Sequence, residues 1–228
     1  MERQIRVLSL LLSFVAGFCD TVTFIAAGEL FSAHVTGNFI IFACNIVKHP
    51  GMEGWQRLIT FPVFVCFVMI GGKIGRKSPD ILLLIKLEAV LLLIAGLSAM
   101  LIKNPGDELQ LSVQAIAMLT VAAMAFQNTF GKLFSKATHG LTTVMTGNVT
   151  QASLDLIKLF STKPFDAQAK VSLKKQLILI VGFFLGCFAG AIMASKFGLR
   201  SLILPGGLIY VLVLTNSLIQ PQKQNIAI

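Results

Sequence analysis

Two tripeptides and one carboxylate concentrate the chemistry of this chain. Thr-Gly-Asn occurs at Thr36–Asn38 and again at Thr146–Asn148, 110 residues apart, each time ahead of an apolar run. Thr and Asn side chains can accept hydrogen bonds from the free amides of a first helical turn, and Gly permits close backbone approach or an unusual φ. A helix that starts inside a membrane also offers unpaired N–H groups and partial positive charge to an anion or polar ligand. The simpler use is structural, as caps and interhelical polar contacts worth about 0.6 kcal/mol each. Asp20 lies within the apolar segment FVAGFCDTVTFIA, where a carboxylate costs on the order of 2.5–3.5 kcal/mol to insert. It requires a partner, a proton or an interior position, and His34 and the Thr-Gly-Asn amides are the candidate partners. Such a group serves either proton or cation coupling or a buried structural hydrogen bond.

Further polar residues follow each tripeptide on one helical face. Residues 38, 41, 45 and 48 read Asn, Ile, Asn and Lys; residues 148, 151, 155 and 158 read Asn, Gln, Asp and Lys. Steps of three and four keep them aligned. The candidate solute-binding set is therefore Asp20, His34, Thr36, Gly37, Asn38, Asn45, Gln127, Asn128, Thr146, Gly147, Asn148, Gln151 and Asp155. No catalytic residue, metal site or cofactor is expected. G-x-S-x-G, H-E-x-x-H and paired-aspartate patterns are absent, and His34, His49 and His139 are dispersed. Cys19, Cys44, Cys66 and Cys187 are scattered through apolar stretches and read as small buried hydrophobes. Lys86 and Glu88 are expected to snorkel near a membrane edge.

The elements that must position these groups are membrane helices. Of 228 residues, 55% are hydrophobic and 13% charged, about half the ~25% charged fraction of soluble domains; mean hydropathy is +0.82. The whole chain, 1–228, forms one integral membrane domain with a lipid bilayer as its partner. Six crossings are expected, at 5–27, 58–74, 81–102, 109–130, 177–194 and 199–219. The basic N-terminus and apolar run resemble a secretory signal, but the run continues past Asp20 and reads as a retained first span. The segments after each tripeptide, 39–47 and 149–160, are too short or too polar to cross independently, which makes them broken or re-entrant helices.

The net charge of +9 reflects basic cytoplasmic loops and no nucleic-acid partner. With the N-terminus inside, thirteen Lys and Arg fall on the cytoplasmic side, including Lys73, Arg76, Lys77, Lys174 and Lys175. Five fall outside: Lys48, Arg57, Lys103, Lys196 and Arg200. That bias puts both termini in the cytoplasm. An eight-crossing version, in which the short segments span fully, strands Lys73, Arg76 and Lys77 outside. The order of elements then repeats: residues 1–104 and 105–228 each carry three spans and one Thr-Gly-Asn segment. VAGFCD (Val15–Asp20) lies against AMAFQN (Ala123–Asn128), and Gly71 matches Gly190. Three spans per unit give the halves opposite orientation, an architecture that many transporters share. Gly71 with Gly75, and Gly182 with Gly186 and Gly190, form G-x-x-x-G rows suited to close helix packing within the bundle or in a homodimer.

GFCDTVTF (Gly17–Phe24), AHVTGN (Ala33–Asn38) and MTGN (Met145–Asn148) in this order resemble the signature of the YoaK family of bacterial multi-pass membrane proteins. The resemblance covers essentially the whole chain. It implies an all-α protein of six spans in the inner membrane, and no established substrate or reaction. Taken with the repeat and Asp20, the expectation is a permease for a small polar or anionic solute, and not an enzyme. The alternative is a non-transporting membrane protein, such as an assembly factor or sensor.

Overall fold

A computed structural model describes residues 2–48, 54–102, 107–161 and 166–216. Among the described residues regular structure is wholly helical. In order come α1 (Glu2–Ala26), α2 (Gly37–Lys48), α3 (Trp55–Lys77), α4 (Leu83–Leu101) and α5 (Asp107–Leu133). α6 (Met145–Ser161), α7 (Ala167–Phe197), a 3-10 turn (Gly198–Leu202) and α8 (Ile203–Asn216) complete the chain.

Five helical runs are long and apolar enough to cross a bilayer. The last of them, Ala167–Thr215, joins α7, the 3-10 turn and α8. α8 alone contributes 14 residues, about 21 Å of helix against ~30 Å of hydrocarbon. The expected sixth crossing, 199–219, falls on the 3-10 turn and α8, and its end at 217–219 lies outside the described residues. The run bends at Gly198, whose φ is +57°, a conformation that glycine adopts at little cost. α7 also starts ten residues before the expected 177. Asp166 caps it by accepting from the amides of Gln168 and Ala169 at 2.8 and 3.2 Å, so capping chemistry extends the helix beyond its apolar stretch. α2 and α6, with 12 and 17 residues, span about 18 and 25 Å, short of a crossing.

Glycines set the helix pairing. A Cβ on Gly182 would meet Leu10 O at 2.7 Å and Ser13 Oγ at 2.6 Å, and one on Gly190 would meet Phe18 O at 2.7 Å. Gly186 abuts the carbonyl of Phe14, and Gly17 that of Phe183. Residue numbers rise together on both helices, so α1 and α7 are parallel. The same holds for α3 on α5, where Gly71 faces Phe126 at 2.9 Å and Gly75 faces Leu133 at 2.8 Å. α4 and α8 instead run antiparallel: Gly96 faces Ile203 N at 2.5 Å while Gly206 faces Leu93 N at 2.9 Å. α2 folds back along α3, with Phe39 against Phe61 and Phe42 against Trp55 at ring distances of 5.3 and 5.2 Å.

The core runs through α1, α4, α5 and α8, centred on Leu12, Phe18, Leu84, Leu92, Met124, Phe130 and Ile209. Outward faces are as apolar as the core. Phe184, Leu185, Phe188 and Ile192 on α7 and Met69 and Ile70 on α3 are exposed, a surface that only lipid can cover. Cys19 alone of the four cysteines is fully buried; Cys44 and Cys66 lie on that outer surface and Cys187 is half-buried. The expectation of four buried cysteines fails because hydrophobic in a membrane protein does not mean interior.

Candidate functional site

α1 ends in a tight turn. Gly28 takes φ +72° and Glu29 φ +57°, and the Glu29 amide donates to Phe24 O at 2.9 Å, closing the helix in the left-handed manner usual at helix ends. The chain turns back toward the bundle. Arg57, at the start of α3, holds that turn by donating to Gly28 O at 2.7 Å. The returning segment docks on Asp20, which is almost wholly buried. Asp20 Oδ1 accepts from the Ala33 amide at 2.5 Å and from Ser32 Oγ at 3.2 Å, while Oδ2 contacts His34 Nδ1. His34 joins Asp20 as expected; the amide that Asp20 binds is that of Ala33, upstream of the tripeptide.

Asn38 then fixes the far end of this first loop. Its side-chain amide pairs with both backbone groups of Phe31, accepting from N and donating to O at 2.8 Å each. A further bond reaches Thr60 Oγ1 at 3.0 Å. Asn38 thus spends its hydrogen bonds on loop backbone and the Thr60 side chain of α3, and the expected capping of its own helix does not occur. Thr36 and Thr146 are exposed and Gly147 has open space around it, so the threonines are not buried caps either. Gly37 is confined, since a Cβ would meet the Phe31 ring at 3.0 Å.

The second loop, between α5 and α6, is bonded at positions shifted by 110 residues, with donor and acceptor exchanged on the long helix. Asn148 donates to Leu141 O at 2.9 Å, again seven residues back. Thr142 and Thr143, the counterparts of Ser32 and Ala33, accept from Gln127 Nε2 at 2.7 Å and Asn128 Nδ2 at 2.9 Å. Cross-docking is matched as well. The second loop binds α1 through the His139 amide, which donates to Ser9 Oγ at 2.8 Å, while Gln127 of α5, which also holds Thr142, donates to Leu12 O at 2.8 Å. The first loop packs Leu30 and Val35 on Ala117 and Val121 of α5. Measured along α1, the second loop sits at Ser9 and the first at Asp20, about 17 Å apart at 1.5 Å per residue.

Of the remaining candidates, Gln151 donates to Asp155 at 2.8 Å, and Asp155 is buried with its other oxygen unpartnered. Asn45 is half-buried on α2. Neither group is brought onto Asp20 or the first loop by any bond described above. Beside the second loop opens a cavity of about 590 Å³, lined by His139, Gln168, Ser172, Lys175 and Gln176 with Ala167 and Val171. Burial lowers the His139 pKa, and the cations Lys175 and Arg6 lower it further against a weaker opposite pull from Glu2. The His34 pKa is raised, because the hydrogen bond to Asp20 outweighs partial burial. The His34 ring also packs edge-on against Phe183 of α7 at 5.6 Å.

Glu88 is the residue that hydropathy misplaces. Instead of snorkelling, it is fully buried in α4 and both carboxylate oxygens lack a hydrogen-bond partner. Lys86 does reach the surface and bonds Asp80 at 2.6 Å. Helical period was the available signal: Leu84, Glu88, Leu92, Ala95 and Ala99 share one buried face.

A family model described as "Protein of unknown function (DUF1275)" matches residues 8–215. Among curated proteins the chain is similar to the UPF0700 transmembrane protein YoaK of Bacillus subtilis (strain 168), at 26% identity over 193 residues, 81% of this chain and 80% of that protein. No solved structure matches. The motifs GFCDTVTF and AHVTGN that carried the resemblance are the segments whose Asp20, Ala33, His34 and Asn38 hold the first loop in place. The chain, with its apolar helices and lipid-compatible surface, belongs to the DUF1275 family as a multi-pass membrane protein related to YoaK.

Proposed function

We propose that this protein is a permease for a small polar or anionic solute, with its path running past the two Thr-Gly-Asn loops. Two inverted units, 1–104 and 105–228, form it in the bacterial inner membrane with both termini cytoplasmic; the boundary between them lies outside the described residues. The helix directions support this reading. With the N-terminus inside, α1, α4 and α7 run outward and α3, α5 and α8 inward, so the second set of three reverses the first. One observation carries it: the matched docking of two re-entrant loops, each on its own long helix and on that of the other unit. Irregular backbone at membrane depth is tolerated only where protein or a watery cavity surrounds it. In this reading the cavity beside the second loop, which has Lys175, His139, Gln168 and Ser172 among its lining residues, is the cytoplasmic entrance.

Proteoliposomes containing the full chain, assayed with a panel of radiolabelled small organic anions, amino acids and inorganic anions, test the reading. Flux of one class should fall at least tenfold in both Asn38→Ala and Asn148→Ala while each variant stays monodisperse. Unchanged flux in the two variants overturns it. No flux for any class favours a non-transporting role such as an assembly factor or sensor.

A further inference from the structure

Among the described residues Glu88 is the most completely buried carboxyl, and no ion pair balances it. It has no exposed surface, and neither oxygen receives a hydrogen bond. Its neighbours on the same face of α4 are Leu84, Leu92 and Ala95. Among the described residues the elements packed against α4 supply no cation to it: Lys73, Arg76 and Lys77 on α3, Lys132 on α5 and Arg200 in the 3-10 turn are exposed, Tyr210 on α8 is half exposed, and Lys86 is engaged by Asp80. α1 contributes the groups that do face it, for Cys19 lies within electrostatic reach of both Glu88 and Asp20. Asp20, next to Cys19 in the chain, in turn contacts His34 on the half-exposed first loop.

A carboxylate stripped of water, hydrogen bonds and counter-ion costs several kcal/mol. Natural bundles remove such groups unless they are used, since an apolar residue of similar volume packs there without penalty. We propose that Glu88 is a proton-binding site, a carboxyl that takes one proton onto an oxygen when enclosed as here and releases it when the core admits water. The only ligand is the proton, delivered from the side of Asp20 and His34, and no other co-reactant is needed. Its part in a transport cycle rests on the permease reading; the proton binding does not.

Infrared difference spectroscopy of the full chain in lipid nanodiscs, with and without ¹³C-glutamate labelling, tests the site without any solute. The expected result is a carboxylic-acid C=O band that shifts with the label and converts reversibly to carboxylate as pH rises. That band should be lost completely in Glu88→Gln. Should the Gln variant fail to fold, Glu88→Asp supplies the second measurement, in which the band must move from the glutamate label to an aspartate label. Absence of the band in the wild type overturns the site, as does its survival in Glu88→Gln. A band fixed at every pH at which the protein stays folded, or one that follows sodium and not pH, overturns it too. Solute flux without the band refutes Glu88 alone, whereas the band without flux refutes the permease and leaves the site standing.

Discussion

At the scale of single residues, Asn38 and Asn148 do the same task with unequal investment. Asn38 satisfies both backbone groups of Phe31 and reaches Thr60, whereas Asn148 satisfies one carbonyl and makes a long contact to Met145 sulfur. Leaving buried backbone groups unpaired costs about 1–3 kcal/mol. Asn38→Ala should therefore lower stability by about that amount, and more than Asn148→Ala, as read from thermal unfolding followed by fluorescence of Trp55. His34 predicts a pH dependence with a definite sign. Its pKa is raised in the folded state by Asp20, so the stabilisation is complete below the ordinary imidazole value of ~6.5 and fades as pH rises through the higher folded value. Amide hydrogen exchange in residues 30–36, corrected for its intrinsic pH dependence, should lose protection on the alkaline side in the wild type. His34→Phe should abolish that dependence; equal profiles in both would remove His34 from the docking of the loop.

At the scale of elements, close helix approach is decided by which glycines face a backbone. Gly186 sits against the Phe14 carbonyl, while Gly72 has nothing within 4 Å. Gly186→Leu has no room unless α1 and α7 part, and overpacking of this kind costs about 3 kcal/mol or more. Gly72→Leu projects into open space and should be neutral or slightly stabilising, because Leu is the better helix former. Melting temperature and gel-filtration profile of the two variants separate the cases, and equal behaviour would mean that the α1–α7 seam does not hold the bundle. The G-x-x-x-G rows were visible in the sequence; that Gly71 and Gly75 pack while Gly72 between them does not follows only from the rotation of α3 against α5.

At the scale of the whole molecule, the proposed inverted arrangement predicts sidedness. Single cysteines at Glu29 and Lys136, placed in a version with Cys19, Cys44, Cys66 and Cys187 replaced, probe the two loops. A membrane-impermeant maleimide should label Glu29→Cys from the periplasm and Lys136→Cys only after the membrane is opened. Labelling of both from one side sinks the inverted units and, with them, the two-sided path. Much of this plan was legible in the chain. Asp20, His34 and the paired tripeptides stood out because polar groups are costly in an apolar run, and their partners were near in sequence. The register of the second loop on Ser9 and of Gln127 on Leu12, bonds that span 130 and 115 residues, was not legible, since nothing local marks a hydroxyl or carbonyl as a distant acceptor.

Composition and periodicity by themselves determined that this chain is helical, lives in lipid and carries two similar polar interruptions, because hydration cost acts on each residue wherever it lies. Tertiary structure alone decided which way each helix face turned. It turned Glu88 into the core and Cys44 and Cys66 to the outer surface, and it set α8 antiparallel to α4 beyond the bend at Gly198. The physical reason is that hydropathy records how much a segment dislikes water, whereas rotation, register and partner depend on backbone approach between helices far apart in the chain.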